Sequence, residues 1–536
     1  MHYSSLSEAR RLFSGILCCA ILIVVVNVVL LPRATCQDVV KAGKQKPPNI
    51  VLFLGDDIGW DDVPWHNNNT TLAPNLAQLA ATGIRLERHY TQPICSPTRA
   101  ALLTGKYVTR LGWQHANPQN GEDRGLPRDV KLLPSHLKDR GYSTHMLGKW
   151  HLGFCSFDHT PVKRGFDTFY GHYTVGLEYC EKTKDGYFDF RYNSLNSSSG
   201  EVMDDLLWDT AVDADECYAT EKGYYGEQLK GRAREIVEEH DVDKPLFMYY
   251  ATQNIHFPYK VPQRFLDLYE TGESVSEKRK TVLAMMSALD EQVGDLVQAL
   301  KNKGLWENTV FVFFSDNGGE EYSGTSNAPL RGYKFQEFEG GIRTAGIVNS
   351  PLIRGGLVNE ALIHVTDWLP TLLNIADNGV QIENNPVEDC DLPESSEDFL
   401  ADIDGVQQWG ALIGARNSSR TGFLINIETF HNRAAIRSGD WKLHVLDVPE
   451  DAPRFSNLDV CDGSRGGAST MLFNVIDDPF ELLDLSSTRQ DKVCELLSEL
   501  EKEENRMIPR ANRRVTEKNV MLASQNGAWV PWMDSC

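Results

Sequence analysis

Three uninterrupted apolar runs constrain this chain most. Asn49-Ile50-Val51-Leu52-Phe53-Leu54, Pro245-Leu246-Phe247-Met248-Tyr249-Tyr250 and Val310-Phe311-Val312-Phe313-Phe314 show no alternation of polar and apolar residues. A strand with one wet face alternates, whereas a strand covered on both faces does not. The runs therefore predict central strands of a mostly parallel sheet flanked by helices. Tyr142 to Leu147 reads as a fourth strand. Helical patterns stand between them, at Pro74 to Gly83, at Leu132 to Gly141, and as a stripe from Val282 to Leu300 stopped by Gly304. Strand, helix and strand joined by short links is an α/β pattern. Cys155 to about Tyr225 is rich in Tyr, Asp, Ser and Asn and reads as long loops over a cleft, held in part by cysteines.

Polar residues recur where these strands end. Asp56 and Asp57, Lys149 and His151, His256, and Asp316 and Asn317 each follow a strand's C-terminal end. That edge of an open parallel sheet is where ligands bind. Three carboxylates and an amide offer hard oxygen, which suits Ca²⁺ or Mg²⁺ rather than zinc. Acidic pairs are usually solvated loop residues, but pairs converging from core strands repel unless a cation compensates.

Length and charge set the remaining bounds. At 536 residues the chain divides naturally into one large and one small domain. We place the large one at 46–420 and a smaller α+β domain at 421–536, where strand patterns at 434–437 and 441–445 precede an amphipathic stretch at 491–501. A net charge of −22 excludes nucleic acid as a partner and requires a locally cationic cleft for any anionic substrate. Arg10 and Arg11 precede an apolar run from Leu12 to Leu31, and Ala34-Thr35-Cys36 offers a cleavage site. Residues 1–36 thus read as a secretory signal peptide, with an uncleaved anchor as the alternative. No stable membrane span is expected once it is removed. Sequons begin at Asn68 or Asn69, Asn196 and Asn417. Of 11 cysteines, eight lie beyond residue 36 and can pair in an oxidising compartment.

Cys95-Ser96-Pro97-Thr98-Arg99 starts a helix, with Pro97 in its first turn and Gly105 at its end. A cysteine there faces free N–H groups, and Arg99 lies one turn on. The pentapeptide resembles the modification motif of the sulfatase family, Cys-x-Pro-x-Arg. Gly141-Tyr142-Ser143-Thr144-His145-Met146-Leu147-Gly148-Lys149-Trp150-His151 resembles that family's second motif. Asp367-Trp368-Leu369-Pro370-Thr371-Leu372, Ala434-Ala435-Ile436-Arg437 and the tail Gly527-Ala528-Trp529-Val530-Pro531-Trp532-Met533 are similar to the group of arylsulfatases B, I and J. The segment 112–132 carries no cysteine, where arylsulfatase B has two.

The resemblance implies an alkaline-phosphatase-like fold. It implies that Cys95 becomes Cα-formylglycine through the formylglycine-generating enzyme. It assigns one divalent cation, calcium ahead of magnesium, to Asp56, Asp57, Asp316, Asn317 and residue 95. It gives Arg99, Lys149, His151, His256 and Lys334 to catalysis, with a gem-diol nucleophile attacking sulfur. It implies a sulfated glycosaminoglycan substrate, namely N-acetylgalactosamine 4-sulfate in dermatan or chondroitin sulfate, and residence in the lysosome or outside the cell. An ordinary imidazole titrates near ~6.5, so His151 and His256 lead to an acidic pH optimum as an expectation. A phosphoesterase on the same fold, or a glycan-binding matrix glycoprotein without turnover, are the alternatives.

Overall fold

The computed structural model describes residues 46–67, 70–196, 199–270, 275–380, 401–414, 416–446 and 469–536. The apolar signal run, the Asn68 and Asn69 sequons and residues 381–400 lie outside them. The strands of the main sheet are β1 (Asn49–Gly55), β2 (Ile84–Leu86), β3 (Ser143–Lys149), β4 (Thr168–His172), β5 (Arg191–Leu195), β6 (Val202–Leu206), β7 (Leu246–Ala251), β8 (Thr309–Ser315), β9 (Gly346–Asn349) and β10 (Leu357–Asn359). Their order across the sheet is β10-β2-β9-β8-β1-β7-β3-β4-β5-β6. The five central strands, β8, β1, β7, β3 and β4, are all parallel. Antiparallel strands extend both sides.

The continuous apolar runs are explained by cover on both faces. On one face Ile50, Leu52, Leu54, Val310, Val312 and Phe314 pack with Ala100 to Leu103 of helix α2 (Cys95–Thr104) and with Trp368 of α6 (Trp368–Asn378). On the other, Val51, Phe53, Phe311 and Phe313 pack with α1 (Pro74–Thr82), α4 (Tyr225–Glu239) and α5 (Glu277–Asn302). The short helix α3 (Leu133–Asp139) precedes β3. Full burial of each large aliphatic or aromatic side chain contributes about 1.5–3 kcal/mol, so register slips in these strands are strongly disfavoured.

Residues 155–225 are not mainly loop. They supply β4, β5 and β6, and the Cys180–Cys217 disulfide closes the stretch that contains β5 and β6. β5 escaped the sequence pattern because it buries polar side chains. Arg191 is fully buried between Asp189 and Asp204, and Asn193 donates to Asp204 at 2.7 Å. Such pairing compensates the desolvation that would otherwise keep these residues out of a strand interior.

A second, four-stranded antiparallel sheet contains β11 (Gly422–Glu428), β12 (Arg433–Ser438), β13 (Trp441–Leu446) and β14 (Ser469–Asn474). Helix α7 (Gln490–Glu504) buries Val493, Leu496, Leu497 and Leu500 against it. The tail then returns to the main sheet. Trp529 is buried, its indole N–H donates to the Lys184 carbonyl at 2.9 Å, and Cys536 is disulfide-bonded to Cys155.

Gly148 sits one residue before Lys149, at φ +97, between β7 and β4. A Cβ there would stand 2.0 Å from the Ala251 carbonyl oxygen, a backbone atom that cannot turn aside. Gly148→Ala should therefore lower stability by about 2–4 kcal/mol. Gly141→Ala is the control, because φ is +84 there but nothing lies within 4 Å of the added carbon. Thermal unfolding of both variants checks this, and a larger loss at residue 141 would contradict it.

Candidate active site

The register of the parallel strands brings the acidic residues together. Gly55 of β1 pairs with Ser315 of β8, so Asp56 and Asp316 leave adjacent strands side by side. The Asp316 N–H donates to the Gly55 carbonyl at 3.0 Å, and the Asp56 N–H to the Asn254 carbonyl at 2.9 Å. The loop after β7, which carries His256, is thus tied to the end of β1. On the other side Lys149 ends β3, and the His151 N–H donates to the Tyr173 carbonyl at 3.1 Å. Asp57 and His151 are held at φ +63 and +54, unusual for residues other than glycine and costly unless surrounding structure fixes them.

All the residues singled out by sequence lie around one buried cluster. Lys149 Nζ is 2.6 Å from Asp56 Oδ2, and Lys334 Nζ is 2.7 Å from Asp57 Oδ2. Arg99 grips Asp316 Oδ2 through Nε at 3.1 Å and a terminal nitrogen at 2.8 Å, and donates to the Lys149 carbonyl at 2.8 Å. Cys95 opens α2 with its Sγ 3.5 Å from Asp56 Oδ1. Asn317 donates to Asp57 Oδ1 at 2.8 Å. His256 Nε2 lies 3.8 Å from Asp57, while Nδ1 lies 2.6 Å from the Phe257 carbonyl, which places the ring proton on Nδ1.

The electrostatics of the cluster favour an added cation. Burial pushes the Asp316 carboxyl up, and Asp56 beside it pushes it further. Asp57 is held low despite its burial, mainly by Lys334 and then by His256 and Lys149. Oδ1 of Asn317 is buried and accepts no hydrogen bond. An oxygen acceptor left without a donor beside crowded carboxylates fits a hard divalent cation. Cys95 is the one free cysteine among the described residues. Burial and Asp316 raise its thiol well above the usual range, against the pull of Lys149 and Lys334, so a thiolate is disfavoured there.

Burial changes the expectation for the histidines. It lowers His256 to about 3 and pushes His151 well below its ordinary value, with Lys149 adding to the effect on both. Neither ring titrates as an ordinary imidazole, so neither leads to the expected acidic optimum. Both ring nitrogens of His151 are buried without a hydrogen-bond partner.

The structure gives roles to three features for which the sequence supplied none, although the segment Glu339 to Arg343 after Lys334 is similar to the family's. Asn117 accepts the Ser96 N–H at 3.0 Å, and no motif marks it. Glu339 anchors the segment that carries Lys334. Its carboxylate accepts from Lys442 at 3.0 Å and from the Tyr90 hydroxyl at 2.8 Å, while Lys442 and His444 also reach Glu481. The smaller sheet thereby positions the segment between Lys334 and Glu339, which belongs to neither sheet. Gly340 and Gly341 are needed because a Cβ on either would strike the carbonyl oxygens of Gly332 or Gln336.

The described disulfides, Cys155–Cys536 and Cys180–Cys217, belong to an oxidising compartment and hence to the secretory pathway. Asn196 and Asn417 are exposed. No helix among the described residues is long and apolar enough to cross a membrane.

Comparison with known proteins agrees with the geometry. The family profile described as Sulfatase matches residues 48–378. Arylsulfatase J of Mus musculus is 35% identical over 520 residues, covering 90% of this chain and 80% of that protein. N-acetylgalactosamine-6-sulfatase of Rattus norvegicus is 28% identical over 514 residues, covering 90% of each. Among solved structures, that of Ps i-CgsB superposes with a TM-score of 0.71 at 27% identity, over 89% of this chain and 96% of that one. With a profile spanning most of its length and a relative this similar across nearly all of it, the chain belongs to the sulfatase family and is a sulfuric ester hydrolase of the arylsulfatase type.

Proposed function

We propose that the chain removes the 4-sulfate of N-acetylgalactosamine at the ends of dermatan or chondroitin sulfate, using formylglycine at position 95 and one calcium ion. Magnesium is the alternative cation. The observation that carries the reading is the buried meeting of Cys95, three carboxylates, Asn317 and three cationic side chains at one sheet edge. The 4-sulfate assignment rests on likeness to the arylsulfatase B group. Formylglycine-generating enzyme would act on the Cys95 motif before folding buries it. The lysosome is the proposed destination, with secretion as the alternative. The chain divides at about residue 420 into a catalytic domain from 46 and a smaller domain to 536, after a signal peptide of residues 1–36.

Asp56, Asp57, Asp316 and Asn317 would hold the cation together with residue 95. The cation supplies Lewis-acid polarisation of oxygen, and the converted residue supplies a hydrated-aldehyde hydroxyl as nucleophile. The remaining work falls to the chain's own side chains. Lys149 and Lys334 now neutralise Asp56 and Asp57. With those carboxylates neutralised by a cation, both ammonium groups have charge to offer the sulfate oxygens, where negative charge builds up. Arg99 fixes Asp316 and the Lys149 carbonyl, so it positions both ligand and ammonium. His256 is assigned the proton for the leaving oxygen, a role that requires Nε2, on the Asp57 side of the ring, to be protonated first, and His151, whose ring nitrogens have no hydrogen-bond partner, would take one from the hydroxyl at residue 95.

Activity of wild type and Cys95→Ala on an aryl sulfate, followed by N-acetylgalactosamine 4-sulfate and 6-sulfate side by side, tests this. Wild type should turn over the aryl ester and prefer the 4-sulfate, and Cys95→Ala should lose at least about 10³-fold in kcat. Preference for the 6-sulfate would refute the substrate while leaving the reaction. Equal rates for Cys95→Ala would refute the nucleophile.

Cation binding has its own readout. Calcium in 100-fold excess over its Kd should stabilise the fold by about 2.7 kcal/mol, seen as a rise in melting temperature. Asp57→Asn should abolish most of that rise. An equal rise in the variant would place the cation elsewhere.

A further inference from the structure

A cavity of about 420 Å³ opens above the cluster, with His256 and Lys334 in its wall. Three of its lining residues are exposed aromatics, namely Phe257, Tyr322 and Phe335, and Tyr322 is 82% exposed. Tyr322 and Phe335 sit at φ +62 and +75. A bulky side chain in the left-handed region is an outlier that glycine would relieve. Neither ring repays that strain by burial in the core.

Both strained positions are fixed by hydrogen bonds from the surrounding chain. The Phe335 N–H donates to the Pro93 carbonyl at 2.7 Å, and its own carbonyl accepts from Arg433 at 3.0 Å. The Tyr322 carbonyl accepts from Lys278 Nζ at 3.0 Å. Lys334 Nζ lies 5.3 Å from the centre of the Phe335 ring. The rings are thus held at the mouth of a cationic site rather than packed away. Retained backbone strain clusters at active sites, ligand clamps and switches.

The charge at the mouth is asymmetric. Glu320 and Glu321 line it, and Glu320 accepts from the Tyr259 hydroxyl at 2.9 Å. Lys184, which also lines the cavity, is paired with Asp185 at 3.1 Å. One anionic group is matched by the floor of the site, while a second on the same ring would meet the glutamates.

We infer that Tyr322 and Phe335 are specificity-determining residues that hold the ring bearing the sulfate, and that Glu320 and Glu321 restrict this ring to one anionic group. The inference rests on the sulfatase reading above. The faces of sugars and aryl rings both pack on aromatic side chains, so the clamp accepts either. It acts in binding and leaves the bond-breaking step to the cluster below.

Binding in the calcium-loaded Cys95→Ala chain separates this from turnover. Titration calorimetry with 4-nitrophenyl sulfate should show Kd raised at least fivefold by Tyr322→Gly and by Phe335→Gly. Melting temperature should be unchanged or higher, because glycine accepts the positive φ. Phe335→Trp should keep Kd within twofold. N-acetylgalactosamine 4,6-disulfate should bind at least fivefold more weakly than the 4-sulfate, and Glu321→Gln should narrow that gap. No binding in the parent, an unchanged Kd in both glycine variants, or a lowered melting temperature accompanying the weaker binding would overturn the clamp. Equal affinity for the two sugars would overturn the charge restriction. Failure of wild type to hydrolyse any sulfate ester, with binding as described, would count against the sulfatase reading alone.

Discussion

Three buried carboxylates face three buried cations at the C-terminal edge of the central strands, and the rest of the structure is arranged around that balance. Asp56, Asp57 and Asp316 are matched by Lys149, Lys334 and Arg99, with none of the six more than 4% exposed. Formally the cluster is neutral and has little attraction for an anion. Burial of so many charges is expensive unless each is paired and hydrogen-bonded. A divalent cation would turn the same set into a site with two positive charges, which suits a sulfate monoester. On the proposed reading the charge that would attract substrate is tied to the ion that would activate the nucleophile, while the chain as a whole stays acidic.

The scaffold meets this demand from both sheets. Parallel register places Asp56 and Asp316 on neighbouring strands and Lys149 two strands from Asp56, across β7. Close backbone approach at Gly148 holds the end of β3 against β7. The smaller sheet reaches in through Lys442 and His444 to fix Glu339 and Glu481, and so the turn that carries Lys334. Lys442→Ala would leave two buried carboxylates facing one another, so its effect would reach the active cluster from a residue that never touches it.

Elements whose chemistry lies in contiguous residues were legible in the sequence. Three apolar runs and Tyr142 to Leu147 became central strands, and the polar pairs after them converge because parallel strands end on one edge. Cys95 to Thr104 is the helix that Pro97 and Gly105 mark, and Gly105 closes it at φ +68. Strand β5 was hidden because Arg191 and Asn193 are stabilised inside the sheet by carboxylates outside that strand in sequence rather than by apolarity. The same limit applies to the histidines. Their residue type suggested weak-acid protonation, whereas their burial, a property of the fold, removes it. Asn117, Tyr322 and Phe335 gave no sequence signal, because what marks them is a partner or a backbone angle.

The proposed function requires that residue 95 of the mature protein is no longer cysteine. Peptide mapping by mass spectrometry of protein made in a secretory pathway tests it most directly. The account predicts that the peptide spanning Cys95 to Arg99 lacks the thiol, resists alkylation at that position and carries an aldehyde that reacts with a hydrazide. Catalytically active protein whose residue 95 is entirely an unmodified, alkylatable cysteine would contradict it.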